Sequence, residues 1–458
     1  MTPLVPIMMF GWIPIVLILF VKFTPRRAVI IAFIFAWLFL PIAKYPLAGL
    51  PDYTKMSATC WAIFIATALF NSQRLLSFRF KAIDIPMIIW CLSPLFSSLT
   101  NGLGLYDGVS GTLTQTVVWG FPYLIGRMYF DDFDGIRDLS IGILIGGLIY
   151  IPLCLFEARM SPMLHYIFYG YNQHSFAQTY RWGGWRPMVF MNHGLMVGVW
   201  MMSSSLIGLW YWLSGSVKKM RGFSVFWMAL ALTITLVLCR SSGAIALFLL
   251  GISALFLTKK FHSKIFLIFL IAIPLFYLSS RSTGLWSGSN LVDFISQNIS
   301  QDRAFSLEFR LNNENILVDK ALQKPVFGWG GWNRSRVYNE HGRDISVTDG
   351  LWVLALGKNG IVGLCSVTLS ILLPVFLFLR KLSIKDYFNP SIASAMVIST
   401  LLILYMIDNL LNAMINPIFM VAGGGLAATA IKGVKVENGY SEEKSLPLYE
   451  FTYKTRFI

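Results

Sequence analysis

The chain has 458 residues, 56% of them hydrophobic and 13% charged, with a formal net charge of +15 at pH 7. Its mean hydropathy is +0.65. These values exclude a disordered tail protein and a disulfide scaffold, and they argue against a water-soluble enzyme. The excess of base, 37 Lys+Arg over 22 Asp+Glu, suits nucleic acid, anionic lipid or an anionic substrate until the charges are placed along the chain.

A bilayer core takes roughly 20 mostly apolar residues per crossing helix. In chain order, apolar runs centre on residues 4–21, 28–43, 57–71, 83–100, 111–127 and 138–156. Further runs follow at 188–213, 223–240, 243–258, 265–280, 350–379, 392–411 and 415–431. The pattern predicts an all-α polytopic membrane protein of about 13 transmembrane helices (12–14, given the uncertain ends), forming one integral membrane domain over 1–458. Val5–Val21 lacks a basic leader and an A-x-A cleavage site, so it reads as a retained helix. Two segments break the pattern: 157–187, and 281–349, which reads as one large, partly helical extracytoplasmic loop.

Lys and Arg resist translocation, so their distribution predicts sidedness. One set of alternating loops carries Lys22/Arg26/Arg27, Arg74/Arg79/Lys81, Arg127/Arg137, Lys218/Lys219/Arg221, Lys259/Lys260/Lys264 and Arg380/Lys381/Lys385. With Lys432, Lys435, Lys444, Lys454 and Arg456 of the tail, that side holds 22 of the 37 bases. It therefore reads as cytoplasmic, with 432–458 as a cytoplasmic tail. The remaining 15 bases lie outside, and ten of them are arginine, whose planar fork suits phosphate. Against ten acidic residues inside and twelve outside, the net charge divides as +12 and +3, so most of the surplus is topology.

Cys60, Cys91, Cys154, Cys239 and Cys365 are scattered through apolar runs without metal-ligand spacing, and read as small buried hydrophobes. Walker, dinucleotide, HExxH and nucleic-acid motifs are absent, and the basic residues are not gathered on a soluble domain, which excludes a nucleic-acid partner. Neither metal nor cofactor is expected.

Several polar groups lie where the bilayer should be apolar. Arg240, in Leu238-Cys239-Arg240-Ser241-Ser242-Gly243, separates two apolar runs; it either snorkels or faces a ligand. Tyr180-Arg181-Trp182-Gly183-Gly184-Trp185-Arg186-Pro187 precedes a helix that opens near Asn192-His193-Gly194. This segment is either an interfacial Trp/Arg belt or an anion site beside free backbone N–H groups. His193 on its own reads as a packed histidine. Asp408, Asn409, Asn412 and Asn416 either line a cavity or mark a helix break before Pro417. In the long loop, Glu308–Leu317 has helical spacing, with Arg310 and Glu314 at i,i+4 as an ordinary exposed ion pair. Pro325-Val326-Phe327-Gly328-Trp329-Gly330-Gly331-Trp332 is a glycine turn whose indoles suit a sugar face or a headgroup layer.

Four of these pieces, in this order, resemble the O-antigen ligase/polymerase superfamily of bacterial membrane glycosyltransferases over roughly residues 180–365. They are Arg186-Pro187-Met188 through Asn192-His193-Gly194; Cys239-Arg240-Ser241-Ser242-Gly243-Ala244; Arg310 with Ala321-Leu322 and Pro325 to Gly330; and Thr348-Asp349-Gly350-Leu351-Trp352 with Gly357 to Leu364. The resemblance implies a GT-C-like fold in the bacterial inner membrane, with the active site on the outer side. It implies a metal-independent enzyme that moves a glycan from an undecaprenyl-pyrophosphate donor to the hydroxyl of an acceptor glycan or lipid. Arg186, Arg240 and Arg310 would then bind the pyrophosphate, and Trp185, His193, Trp329, Trp332 and Asp408 become candidate glycan or cavity contacts. Membrane lipids and a chain-length regulator are the further partners it suggests. Where ligases of the family carry a histidine, this chain has Asp349, with His341 eight residues earlier; these two are the candidate catalytic bases. That departure tilts the expectation to a polymerase of polysaccharide repeat units, with a glycan ligase as the alternative. A transporter or flippase of lipid-linked sugars is more remote, because the chain shows no internal repeat.

Overall fold

The computed structural model describes residues 1–47, 50–383, 386–387 and 389–433. The tail expected over 432–458 lies outside the described residues from 434 onward. The described chain is mostly helix with almost no sheet. It opens with α1 (Leu4–Lys22) and α2 (Pro25–Phe39), a hairpin of β1 (Lys44–Leu47) and β2 (Leu50–Thr54), then α3 (Lys55–Phe70), the short α4 (Ser72–Ser77) and α5 (Ile85–Thr100). Next, α6 (Leu105–Gln115) passes through a π turn into α7 (Phe121–Tyr129), followed by α8 (Phe133–Met160) and the short α9 (Leu164–Tyr169). The hairpin β3 (Tyr180–Arg181)/β4 (Gly184–Trp185) leads into α10 (Gly194–Ser214). A second small hairpin, β5 (Lys219–Met220)/β6 (Phe223–Ser224), precedes α11 (Val225–Leu238), α12 (Ser242–Phe261) and α13 (Ile265–Ser282). The long loop folds its own α14 (Ser289–Asn298) and α15 (Gln301–Leu322), and the chain closes with α16 (Leu351–Lys381), α17 (Ala393–Leu411) and α18 (Pro417–Lys432).

Eight helices among the described residues are long and apolar enough to cross a membrane, and α3, α11 and α18 are shorter apolar helices. The protein is therefore an all-α, membrane-embedded chain. Burial separates centre from rim. In α10, 83% of the apolar window is enclosed by protein, as it is in Pro390–Leu411, against 28% in α1. Ile7, Phe10 and Ile18 of α1 are exposed, as expected of a helix whose outer face meets lipid. A close crossing joins α7 and α18, where a Cβ on Gly126 would meet the Val421 carbonyl and one on Gly424 the Tyr123 carbonyl. One buried polar group is fully paired. Arg127 makes two bonds to Asp84, at 2.8 and 3.1 Å, and the Tyr123 hydroxyl gives Asp84 a third.

The structure changes two expectations. Cys365 is exposed on α16, while the other four cysteines are buried. Arg310 and Glu314 do not form a surface pair. Glu314 is 4% exposed and takes hydrogen bonds from Arg281, Tyr277 and Trp352, because α15 lies across the ends of α13 and α16 and turns that face inward. Arg310, one turn earlier, pairs instead with Asp349.

Candidate functional site

The basic cluster is assembled at the end of the bundle where α8 finishes and α10, α12 and α16 begin. Its foundation is a buried carboxylate. Glu157, in the last turn of α8, accepts the backbone N–H groups of Leu164 (2.9 Å), Met188 (2.8 Å) and Val189 (2.7 Å). These bonds hold Val189 at φ 51°, a conformation that a β-branched residue adopts only under constraint. The segment from Arg186 to His193 is thereby pinned against the helix ends.

Arg186 is 6% exposed, donates from Nη2 to the Ser241 hydroxyl at 3.3 Å, and keeps its Nε without a partner among the described residues. Burial, together with the positive charges of Arg181, Arg303 and Arg310, brings its pKa down to about 10. Arg186 remains a cation at neutral pH, in a field short of anions. His193 caps α10: its Nδ1 accepts the Leu195 N–H at 3.0 Å, so the ring proton sits on Nε2, 3.4 Å from the Gln178 oxygen. Burial first, and then Arg186, depress its pKa to about 3, so this ring is a neutral cap.

Arg240 occupies a left-handed conformation, φ 51°, between α11 and α12. Its guanidinium donates to the Arg181 carbonyl at 3.0 Å and to the Trp182 carbonyl, and it lies so close over Gly184 that a Cβ there would collide with it. The fork thus holds the turn of the β3–β4 hairpin. Arg303 of α15, which did not stand out in the sequence, bonds the Ser242 hydroxyl at 2.5 Å and stacks 4.3 Å over the Trp182 ring. Trp185 stays on the hairpin, edge-on to Tyr180 at 5.0 Å.

Arg310 and Asp349, remote in sequence, face each other with Nε 3.5 Å from Oδ2, both about one-third exposed. Arg310 also donates to the Leu411 carbonyl at 3.2 Å, tying the pair to the end of α17. Next to it, Asp408 is buried, with Oδ1 bonded by Asn412 at 2.9 Å and Oδ2 without a partner among the described residues. An unpaired carboxylate oxygen and an unpaired guanidinium nitrogen, both desolvated, are what an enclosed polar ligand would satisfy.

His341 is elsewhere. It sits on an exposed turn of the excursion from Tyr338 to Asp344, its backbone N–H on the Asn339 side chain, and its ring makes no hydrogen bond among the described residues. Trp329 is also not free. Its indole donates to the Lys320 carbonyl at 2.7 Å, and Lys320 and Lys324 lie over its ring at 3.8 and 4.8 Å. Its turn closes a break in α16, where Gly360 takes φ 65° and Ile361 donates to the Pro325 carbonyl at 2.7 Å. The backbone N–H groups of Trp329 and Gly330 reach the carbonyls of Gly357 and Lys358 at 2.9 and 3.0 Å. A Cβ on Gly360 would strike the Val326 carbonyl, which is why this glycine stands at the break. Trp332 is 77% exposed, with its N–H on Asp107 at 3.0 Å. Among the described residues, no hydrogen bond or ring contact joins either indole to Arg186, Arg240, Arg303 or Arg310.

Sequence reasoning missed Arg303, Glu157 and the Arg281–Glu314 pair. Only a lone glutamate near the end of an apolar run hinted at Glu157. Searches against protein-family models and curated proteins found no match.

Proposed function

We propose that this chain is a bacterial inner-membrane glycosyltransferase of the GT-C-like kind, which joins a glycan from an undecaprenyl-pyrophosphate donor to an acceptor hydroxyl and so lengthens a repeat-unit polysaccharide. The observation that carries this reading is the meeting of Arg310 with Asp349 in a field of arginines that includes the buried Arg186. In this reading the chain crosses the membrane about thirteen times, its arginine end faces outward, and its C-terminus is cytoplasmic.

The chemistry follows from the charges. The donor pyrophosphate takes up Arg186 and Arg310, with Arg303 and Arg181 adding to the field that attracts it. Once Arg310 turns to phosphate, the Asp349 carboxylate is released from its ion pair. It then accepts the proton of the acceptor hydroxyl as that oxygen bonds to the anomeric carbon. The bond from the anomeric carbon to the pyrophosphate oxygen breaks, and the lipid pyrophosphate leaves with the electron pair. Arg240 acts indirectly, by holding the hairpin. Asp349 is preferred to His341 because it already faces an arginine.

Deleting the gene and separating the polysaccharide by size tests the reading. A polymerase leaves single repeat units, and a ligase leaves long chains on the lipid carrier. A normal ladder on the cell surface contradicts both.

A further inference from the structure

The opposite end of the bundle carries a cavity of about 320 Å³ between α4, α7 and the end of α18. Arg74, Arg79, Lys81, Arg127 and Lys432 line it, together with one carboxylate, Asp131. Asp131 is already divided among Arg26 at 3.9 Å, Arg74 at 3.8 Å and Lys432. Arg127 is taken by Asp84, behind the wall. Arg79 and Lys81 have no carboxylate partner among the described residues.

Two of these cations, Arg74 and Arg127, are held in place by the fold, while Arg79 and Lys81 are exposed. Arg74 donates to the Met128 carbonyl and lies 5.2 Å from the Tyr129 ring, and Arg127 lies 5.5 Å from the Phe78 ring. The cavity is large enough for a small ligand, since such pockets begin near 300 Å³. Its positive excess calls for an anion. Phe78 and Ile431 give the same cavity an apolar wall at the ends of membrane helices, which suits an anion attached to hydrocarbon better than a free ion.

We propose that this cavity binds the phosphate headgroup of an anionic membrane lipid, with the first carbons of its chains against Phe78 and Ile431. Arg79 and Lys81 then supply the unshared charge, while Arg74 and Arg127 form the rigid side of the cradle. The site is separate from the arginine cluster at the other end, and it stands whether or not the catalytic reading does.

Native mass spectrometry of the purified full chain, titrated with phosphatidylglycerol or with phosphatidylcholine of the same chain length, tests it. The wild type is expected to retain phosphatidylglycerol over phosphatidylcholine. The double variant Arg79→Gln/Lys81→Gln should lose about thirtyfold in that affinity, and Lys218→Gln/Lys219→Gln, in a neighbouring basic loop, should lose little. The melting temperature of the first variant should hold, because neither side chain has a carboxylate partner. Equal binding by wild type and the Arg79/Lys81 variant overturns the proposal, as does equal retention of the two lipids. Displacement of the lipid by an equal concentration of inorganic phosphate marks a soluble-ion site and overturns it too. Phosphatidylglycerol binding only in a chain ending at Gly433 would assign the cavity to carboxylates of the tail, Glu437, Glu442 or Glu443, and would also overturn it.

Discussion

Glu157→Gln should loosen the segment that carries Arg186 without unfolding the bundle. In the native protein, Oε2 takes the N–H groups of Met188 and Val189, and Oε1 takes that of Leu164. A glutamine has one acceptor oxygen, so either one or two of these buried donors must face its NH₂ group. Each unsatisfied buried N–H costs about 1–3 kcal/mol, and the surviving bonds drop from charge-assisted to neutral strength. The left-handed Val189 adds about 1–2 kcal/mol of strain that the glutamate now restrains. Together these destabilise the segment by on the order of 3 kcal/mol, which raises its open population roughly a hundredfold. Hydrogen exchange read by mass spectrometry in detergent measures this directly. Peptides covering 186–191 should exchange about a hundredfold faster, while those of central α10 stay unchanged. Unaltered exchange over 186–191 would refute the claim that Glu157 holds the segment in place.

Glu314→Ala leaves Arg281 buried without its partner and should cost about 3–5 kcal/mol in unfolding experiments; Glu314→Gln should cost less. Burial holds the Glu314 carboxyl above its ordinary 4.5, so its contribution to stability is complete below that value and declines as pH rises through the raised one. Glu314→Gln should remove that slope. His193, depressed to about 3, behaves in the opposite sense: stability is complete above about 6.5 and falls as pH drops toward 3, because only the unfolded chain takes up the proton. The slope is at most about 1.4 kcal/mol per pH unit, and His193→Asn, which can still cap α10, should flatten it in thermal melts between these values. Gly360→Ala puts a methyl group into the Val326 carbonyl at a left-handed position, and should lower stability by about 2 kcal/mol or more in the same melts.

The bundle was largely legible because bilayer thickness leaves a length-and-hydropathy signature in each run. The boundaries of α8, α10, α12 and α17 lie within six residues of the apolar runs in the sequence. The break in α16 was less so: Gly357 and Gly360 were visible, but nothing local says that the Pro325 turn supplies the missing hydrogen bonds. Arg310 and Asp349 could be singled out one at a time, through residue type and resemblance, whereas their meeting depends on how α15 crosses the start of α16. That same crossing made the i,i+4 spacing of Arg310 and Glu314 misleading, since it brings Glu314 to Arg281 and Arg310 to Asp349. Arg240 was conspicuous because arginine is costly between apolar runs. Its partner, a two-residue hairpin almost sixty positions earlier, leaves little periodicity to read.

In the proposed function, Arg310 and Asp349 act together on a lipid pyrophosphate donor. Purified protein in liposomes without an ion gradient, supplied with a lipid-pyrophosphate-linked glycan and an acceptor, tests it most directly through the rate of glycosidic bond formation. Turnover is expected of the wild type, with a loss of about a hundredfold or more in both Asp349→Asn and Arg310→Gln and with melting temperatures preserved. A wild type that forms no bond, or an Asp349→Asn variant that turns over at the full rate, would contradict it.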